Sequence, residues 1–382
     1  MTDPFTIVAH DEPFPGDAVV PPIFQTSLFT FRSYQELADA MAGRVRRPIY
    51  TRGDNPTVAA FEDKLAALEG AEAARAFASG MAAISAAVLS NLQAGDRMVA
   101  VRHCYPDAFR LFVTLLPRFD IQVEFIDGRD VAAVERALPG AKMLYLESPT
   151  SVVFETQEFA RLTAAARRAG AATIADNSWA SPIFQQPIAH GVDLVVHSAS
   201  KYLGGHSDVV AGVVCGTREA IGQIDSGVFP LLGSKLSPFE AWLLVRGLRT
   251  LPLRMRRHHE SGLEIAARLA EHPQVRRVHH PLMGGPTAGT ETLSGASGLF
   301  AIELERNTAG IVRFCDALRM FKLGVSWGGH ESLVFPVAAG LQQKGPTNPL
   351  AVFDVSPNTV RLHIGLEDPQ DLWSDLDQAL AT

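Results

Sequence analysis

An acid and a lysine close two neighbouring apolar runs of this sequence. Asp176 ends the run at residues 171–175, and Lys201 comes shortly after the run at residues 194–196. Both runs are short and apolar enough to be buried parallel strands. Because chemistry collects at the carboxyl ends of the strands in open α/β sheets, we expect the two side chains to lie close together.

An acid and a lysine so placed suit pyridoxal phosphate, which needs a lysine amine for its Schiff base and a carboxylate beside its pyridinium nitrogen. A desolvated lysine also has a lowered pKa, so that it can act as a nucleophile and a base. Taken alone, Lys201 could be a surface charge and Asp176 could cap a turn. However, Ser198 and Ser200 precede the lysine and Gly204-Gly205 follow it, which allows a ligand to approach the backbone. The sequence therefore predicts a pyridoxal phosphate site.

Two further segments are candidates for binding a phosphate group. Ser79-Gly80-Met81 begins a helical pattern, and the free N–H groups and dipole of a helix N-terminus attract phosphate, although a serine N-cap would explain the same residues. Tyr50 and Arg52 precede an earlier helix, where an arginine beside a phenol suits a phosphate clamp. The alternative for this pair is an ordinary surface loop.

Arg361 lies in the strand-like alternation of residues 360–365. An arginine held there could bind a substrate carboxylate through two hydrogen bonds, and the rival interpretation is a structural ion pair. His258 and His259 precede an acid, but no second histidine follows at metalloprotease spacing. We therefore predict no metal site. The basic run at residues 254–257 is interpreted as a solvated or interface face of a helix.

The composition excludes several classes of protein. The chain has 382 residues, is 47% hydrophobic and carries a net charge of −7, which argues against nucleic acid as a partner. Its three cysteines are far apart, so no disulfide framework is predicted and a reducing cytoplasm is expected. The amino terminus does not have the pattern of a signal peptide, and no apolar run reaches the roughly 18 residues of a membrane span.

The order of patterns predicts an α/β protein with three parts. Residues 1–50 are expected to form an extended arm, because Pro21 and Pro22 exclude a helix there, and the arm would lie on the body or on a partner subunit. Residues 51–236 alternate strands and helices, as in a mostly parallel sheet covered by helices. Residues 237–382 are expected to form a smaller α+β domain that opens with a long helix bent at Pro252.

Individual elements can be placed within the large domain. A helix is predicted at residues 56–69, with Asn55 as its N-cap and Gly70 at its end. Strands are predicted at residues 98–101, 121–126, 142–146, 172–175, 194–196 and 209–214.

Over essentially the whole chain these residues resemble the pyridoxal-phosphate-dependent enzymes of cysteine and methionine metabolism. The resemblance implies the fold-type I transferase fold. It is carried by residues 20–23 and 50–57, Ser79-Gly80-Met81, Glu147-Ser148-Pro149-Thr150, Asp176-Asn177, residues 198–208 and 246–251, and Arg361.

The resemblance implies a role for each matching residue at the cofactor. Lys201 would form the Schiff base, Asp176 would pair with the pyridinium nitrogen, and Tyr105 would stack on the ring and assist proton transfer. The phosphate would be held by Ser79, Gly80, Met81, Ser198 and Ser200.

The resemblance also implies a substrate site and an assembly. Ser326, Trp327 and Arg361 would bind the substrate carboxylate end. Tyr50 and Arg52 would reach the phosphate of a neighbouring subunit, so that the protein would be a homo-oligomer, typically a tetramer built from two dimers that share active sites.

Within this family the carboxy-terminal half most resembles bacterial cystathionine β-lyase, because Trp327 stands where the γ-enzymes usually carry leucine. This predicts β-elimination of cystathionine or another S-substituted L-cysteine to pyruvate, ammonia and a thiol. Val325 counts against cystathionine, since valine cannot bind a distal ammonium. The alternative is γ-elimination or γ-replacement, of the cystathionine γ-lyase, cystathionine γ-synthase or methionine γ-lyase type, which requires a second proton abstraction at Cβ. A non-catalytic binding module is disfavoured because Lys201 and Asp176 are both present.

Overall fold

A seven-stranded sheet forms the centre of the chain in the computed structural model, which describes residues 2–11, 14–15, 17–45, 47–283, 288–345 and 347–382. Its order is β1-β7-β6-β5-β4-β2-β3. The five strands β2 to β6 run parallel, and β7 is antiparallel to both β6 and β1. The strands are β1 (Ala73–Phe77), β2 (Arg97–Val101), β3 (Gln122–Ile126), β4 (Met143–Glu147), β5 (Ala172–Asp176), β6 (Leu194–His197) and β7 (Gly212–Gly216).

A second sheet of five strands lies in the carboxy-terminal part. Its order is β10-β11-β12-β9-β8, and only β10 and β11 are parallel. The strands are β8 (Val275–His279), β9 (Leu299–Leu304), β10 (Lys322–Leu323), β11 (Leu333–Pro336) and β12 (Thr359–His363). The two sheets confirm the predicted α/β class, with a mostly parallel large sheet and a smaller α+β region.

Sixteen α-helices occur among the described residues. They are α1 (Pro4–Ala9), α2 (Tyr34–Met41), α3 (Pro56–Glu69), α4 (Gly80–Leu89), α5 (Pro106–Arg110), α6 (Val131–Ala137), α7 (Phe159–Ala169), α8 (Ser181–Phe184), α9 (Arg218–Ser226), α10 (Val228–Leu232), α11 (Pro238–Leu248), α12 (Leu251–Ala270), α13 (Thr308–Ala317), α14 (Val337–Gly340), α15 (Pro349–Val352) and α16 (Pro369–Leu380). Within those residues, no helix is both long and apolar enough to cross a membrane.

Helix α3 shows how local sequence sets the elements. Asn55 accepts a hydrogen bond from the Thr57 N–H at 3.0 Å, and Pro56 occupies the first turn, where an N–H has no intrahelical acceptor. The helix ends at Gly70, whose φ of 72° lies in the left-handed region that glycine tolerates. Both predicted ends of this helix are confirmed.

Two predictions about elements require correction, and one strand was missed. The expected long helix is two helices, α11 and α12, and Pro252 lies in the first turn of α12 rather than at a bend. The amino-terminal arm contains the helices α1 and α2, so it is not extended throughout. Strand β1 was not predicted, because the buried Arg75 interrupts its apolar pattern. Arg75 is accommodated there by ion pairs with Glu62 and Asp225.

The start of the arm is fixed to the body by a buried ion pair. The Lys64 amine on α3 lies 2.8 Å from the Asp11 carboxylate and donates hydrogen bonds to the carbonyls of Ile7 and His10. Arg249 contacts the other oxygen of Asp11 at 2.7 Å. The start of the arm therefore packs on the helices beside the large sheet. This is one of the two positions predicted for the arm, the other being a partner subunit.

Two hydrophobic cores correspond to the two sheets. The core of the large sheet extends as far as Met255, and the second core begins at Ile265, so the change falls within α12. The domain boundary proposed at residues 236 and 237 stays a prediction.

Candidate active site

The carboxyl ends of β4, β5 and β6 bring the chemical groups together. Glu147 and Asp176 close β4 and β5 and face each other in the ladder between these parallel strands. Lys201 lies in the turn after β6, where its N–H donates to the Ser198 carbonyl at 3.1 Å and its carbonyl accepts from the Gly205 N–H at 2.8 Å. The predicted placement of Asp176 and Lys201 at neighbouring strand ends therefore agrees with the structure.

Lys201 has the environment of a base. Its amine donates a hydrogen bond to the Ser326 hydroxyl at 2.8 Å and lies 5.4 Å from the centre of the Trp327 ring. Burial, aided by the positive charge of Arg361 and opposed by Asp176, lowers the pKa of Lys201 to about 8. About a tenth of the free amine is therefore neutral at pH 7, far more than for a lysine with the ordinary pKa of 10.5.

Asp176 is a buried carboxyl group at the end of β5. It accepts a hydrogen bond from the Ser178 N–H at 2.9 Å. Burial raises its pKa, whereas the hydrogen bonds from Ser178 and the charges of His197 and Lys201 act in the opposite direction. Burial removes the Asp176 carboxylate from the water that would solvate its charge. A cationic ring nitrogen placed beside Asp176 would supply a compensating positive charge.

The amino end of α4 fits a phosphate group. Gly80 approaches Ser198 so closely that an added Cβ would lie 3.0 Å from the serine side chain, and a Cβ on Gly212 would lie 2.2 Å from the Ser79 carbonyl. Ser79 caps the helix through Ala82, which leaves the first-turn N–H groups of Gly80 and Met81 without intrahelical acceptors. The arrangement is a narrow cradle of backbone donors that only glycine permits.

Ser200 has a more structural position than the prediction implies. Its hydroxyl donates to the Ala211 carbonyl at 3.2 Å and accepts from the Ala211 N–H at 2.9 Å. It therefore joins the lysine turn to the chain that enters β7. A direct contact between Ser200 and the phosphate stays a prediction.

Tyr105 begins α5 and is 38% exposed. Its hydroxyl donates to the Asp107 carboxylate at 3.2 Å, and its backbone N–H donates to Glu147 at 2.7 Å. Burial and the nearby Asp107 raise the pKa of Tyr105 to about 12, so the phenol is protonated at neutral pH. It can give a hydrogen bond but cannot act as an ionised base there.

Arg361 on β12 lies beside the lysine in the position expected of a carboxylate-binding group. Its guanidinium donates to the carbonyls of Val325 and Ser326 at 2.8 and 3.2 Å, and in the described part of the chain it forms no ion pair. Burial lowers the pKa of Arg361 to about 10, with Tyr105 and Tyr202 opposing the shift. A bound carboxylate would supply the negative charge that balances the guanidinium, which the two neutral carbonyls do not provide. The rival interpretation of a structural ion pair is not supported.

Tyr50 and Arg52 lie on the outer surface. Tyr50 is 51% exposed, and the Arg52 guanidinium donates to the Pro230 carbonyl at 3.3 Å and lies 6.0 Å from the Tyr50 ring. These contacts of Tyr50 and Arg52 do not involve the phosphate cradle at the start of α4 in the same chain. Their expected action on a neighbouring subunit stays a prediction.

The basic run at residues 254–257 was interpreted as a solvated or interface face of a helix; Arg256 is exposed as expected, but Arg254 is not. Its guanidinium is buried and donates to the carbonyls of Tyr202 and Gly247 at 2.7 and 2.8 Å. A Cβ on Gly205 would lie 2.0 Å from the same guanidinium, so Arg254 packs directly under the lysine turn. A basic run in a helix does not reveal which of its members another part of the chain covers.

The rate at which the cofactor-free protein recombines with pyridoxal phosphate should rise with pH and level off above about pH 8. The neutral amine of Lys201 is the reactive form, and its pKa is lowered to about 8 from the ordinary 10.5. The measurement is the growth of visible cofactor absorbance from pH 6 to 10. Arg361→Ala should move the inflection to higher pH, because it removes a positive charge that lowers the pKa of Lys201. An inflection near 10.5 in the unaltered protein would contradict this assignment.

Comparison with known proteins adds a family to this geometry. The family described as "Cys/Met metabolism PLP-dependent enzyme" matches residues 6–381. L-methionine gamma-lyase of Pseudomonas putida is 37% identical over 96% of this chain and 93% of its own length. O-succinylhomoserine sulfhydrylase of Pseudomonas aeruginosa is 35% identical over 94% of this chain and 90% of its own.

A solved structure is similar over the full length. The cystathionine gamma synthase from Xanthomonas oryzae pv. oryzae has a TM-score of 0.92 and 32% identity, covering 100% of this chain and 98% of that one. The names of these relatives favour the γ-type alternative and do not support the β-elimination interpretation. Trp327, which suggested it, packs against Tyr202 with ring centres 5.4 Å apart, so packing alone accounts for an aromatic residue here.

Proposed function

Because the chain belongs to the family of pyridoxal-phosphate-dependent enzymes of cysteine and methionine metabolism, we propose that it catalyses γ-elimination from an L-amino acid with an uncharged γ-thioether. L-Methionine is the simplest substrate of this kind. With one water molecule it would yield 2-oxobutyrate, ammonia and methanethiol.

Membership in the family confirms the predicted cofactor and the fold-type I class. A related structure from Campylobacter jejuni, a putative O-acetylhomoserine (thiol)-lyase 25% identical to this chain, carries a pyridoxyl-lysine phosphate. The residues of the present chain fit the same group, because the glycine-lined cradle, the buried Asp176 and the amine of Lys201 lie around one strand edge.

The observation that carries the choice of substrate is the side chain of Val325. It is 79% exposed, and its carbonyl accepts a hydrogen bond from the carboxylate-binding Arg361. An uncharged, apolar and largely exposed side chain therefore belongs to the residue whose carbonyl meets Arg361. Asp107, which accepts a hydrogen bond from the Tyr105 hydroxyl, also forms an ion pair with Arg110. This surrounding supports a neutral substituent more than a distal ammonium.

The chain's own residues divide the work of elimination. Bound pyridoxal phosphate supplies the electron sink that makes the Cα–H bond acidic. Lys201, with its lowered pKa and a flexible four-carbon stem, would remove protons at Cα and then at Cβ. Arg361 would fix the carboxylate, and the Ser326 hydroxyl would hold the amine between proton transfers. Protonated Tyr105 would donate a hydrogen bond toward the reacting groups.

A second candidate is γ-replacement, in which a sulfur nucleophile substitutes the γ-group of an activated homoserine. The sulfhydrylase and the cystathionine gamma synthase among the relatives favour it. It uses the same lysine and the same carboxylate site, so the two candidates differ in what enters after the γ-substituent leaves.

Incubation of the purified enzyme with L-methionine should release 2-oxobutyrate and methanethiol. Parallel reactions with S-methyl-L-cysteine, L-cystathionine and O-succinyl-L-homoserine plus cysteine separate the possibilities, with keto acids and thioethers identified by mass spectrometry. Pyruvate from S-methylcysteine with no 2-oxobutyrate from methionine would overturn γ-elimination. Cystathionine formed from the succinyl ester in the absence of methionine cleavage would favour replacement.

A matched pair of variants tests the role of Val325. Val325→Glu should lower kcat/KM for methionine and raise it for cystathionine, because the new carboxylate can receive the distal ammonium. Val325→Leu keeps the neutral surface and should leave that preference unchanged.

We also propose that the enzyme is a homo-oligomer of dimers that share their active sites. The support is the exposure of Tyr50 and Arg52 next to a surface with exposed Leu231 and Leu232. Analytical ultracentrifugation over a range of concentrations reports the size of the assembly.

The three cysteines are free and buried, which supports a reducing, cytoplasmic location.

A further inference from the structure

Glu147 is a buried carboxyl group for which the proposed chemistry has no use. It ends β4, directly opposite Asp176 in the ladder between β4 and β5. Placing a second acid beside the one that serves the cofactor nitrogen is unfavourable, because burial and the like charge of Asp176 raise the pKa of Glu147 well above its usual range. A buried acid in this unfavourable position therefore calls for a structural or functional explanation.

The contacts of Glu147 point to the loop that presents Tyr105. The Tyr105 N–H donates to Glu147 Oε2 at 2.7 Å. Hydrogen bonds from Tyr105 and Ser151 oppose the rise in the pKa of the carboxyl. Glu147 therefore ties Tyr105, the residue that precedes α5, to the end of a central strand.

The same loop is tied at two further points. The His103 carbonyl accepts from the Ser151 N–H at 2.8 Å, and the His103 ring is hydrogen bonded to Glu155 at 2.9 Å. His103 has a φ of 58°, in the left-handed region that favours glycine. A non-glycine residue holds that conformation only where surrounding contacts determine it, and residues 147–155 provide those contacts.

Two residues of this bracing segment are themselves strained. Val152 has a φ of 67° and Phe154 a φ of 53°, and a β-branched residue is especially unfavourable there. Strain of this kind persists where it serves a site. Here the segment lies between the strand end that carries Glu147 and the loop that carries Tyr105.

We propose that Glu147 is a positioning residue for Tyr105, which it fixes by accepting the tyrosine's backbone N–H at the start of α5. The inference rests on the pyridoxal phosphate chemistry of the family and not on the choice between γ- and β-elimination.

A double-mutant comparison tests this role. Glu147→Ala should lower kcat about 10- to 100-fold, since a displacement of about 1 Å in a positioned group has effects of that size. Glu147→Gln should stay within about threefold, because the amide oxygen still accepts the Tyr105 N–H. In a Tyr105→Ala background Glu147→Ala should have no further effect, whereas in Tyr105→Phe, which keeps the ring, it should retain its effect.

The visible circular dichroism of the bound cofactor gives a readout that no choice of substrate affects. Glu147→Ala should weaken this signal while the total cofactor bound stays near one per chain, and Glu147→Gln should preserve it. If Glu147→Ala does not fold, Glu147→Asp withdraws the carboxylate by one methylene and serves in the same comparison.

Two results would overturn the proposal. Equal losses in Glu147→Gln and Glu147→Ala would assign the role to charge. Additive losses in the Tyr105→Ala background would show that Glu147 acts independently of the tyrosine. Failure of methionine as a substrate would leave both readouts measurable, with whichever amino acid is turned over.

Discussion

Lys201→Ala is expected to lower kcat by at least about 10³-fold and to remove the absorbance of cofactor bound through a Schiff base. The lysine is both the covalent attachment point and the proposed base, and general-base catalysis alone contributes 10²–10⁴-fold. The measurements are keto acid release and the visible spectrum of the protein after incubation with pyridoxal phosphate. Retention of full activity would sink the assignment of the site.

Two controls separate this loss from a general effect on folding. Lys322→Ala removes an exposed lysine on β10 and should leave activity and spectrum unchanged. Mixing Lys201→Ala with inactive Arg52→Ala subunits should restore part of the activity, because a shared dimer then contains one site with both residues intact. No recovery after subunit exchange would count against shared sites.

Asp176→Asn is expected to have the second largest effect, a fall in kcat of about 10²–10³-fold at nearly unchanged cofactor content. The neutral amide cannot keep the ring nitrogen protonated, so the cofactor loses much of its capacity as an electron sink. The cradle at α4 and the amine of Lys201 are unaltered, so binding should survive. Steady-state kinetics measure the fall in kcat, and the cofactor-to-protein ratio shows whether binding of the cofactor is retained.

Asp193→Asn is a suitable control for that substitution. Asp193 precedes β6 at the opposite end of the sheet and accepts hydrogen bonds from the Thr173 N–H and hydroxyl at 2.8 and 2.7 Å. Its change should lower the melting temperature without a comparable fall in kcat. An unchanged kcat in Asp176→Asn would remove the carboxylate from the catalytic scheme.

The sequence was sufficient to predict the position of a functional group where that position depends only on the end of one strand. Asp176 and Lys201 follow apolar runs, and parallel strands bring such ends to one edge. Glu147 closes β4 in the same way, so the same signal was available for it, but nothing local reveals which N–H its carboxylate meets.

Groups that depend on the meeting of distant parts were harder to predict. Arg361 was recognised as a candidate, yet its contact with the carbonyls of Val325 and Ser326 requires the second sheet to be in place. Arg254 was misplaced for the same reason, because Tyr202 and Gly247 cover it from other elements. Helical periodicity reports one face of a helix and carries no information about its partner.

The reaction itself was the least predictable property. Trp327 suggested β-elimination, but its place beside Tyr202 and Lys201 is compatible with either position of bond cleavage. Both reactions begin with the same proton at Cα and use the same lysine. The distinction lies in a second proton transfer, for which the residues at the site provide no separate group.

The contact between Lys201 and Ser326 has a consequence for the order in which function is acquired during translation. The residues predicted to contact the cofactor lie at or before Lys201, and Gly212 completes the cradle, whereas the groups assigned to the substrate carboxylate follow residue 325. On the ribosome, the segments that carry the cofactor residues are therefore synthesised before the segment that carries Arg361.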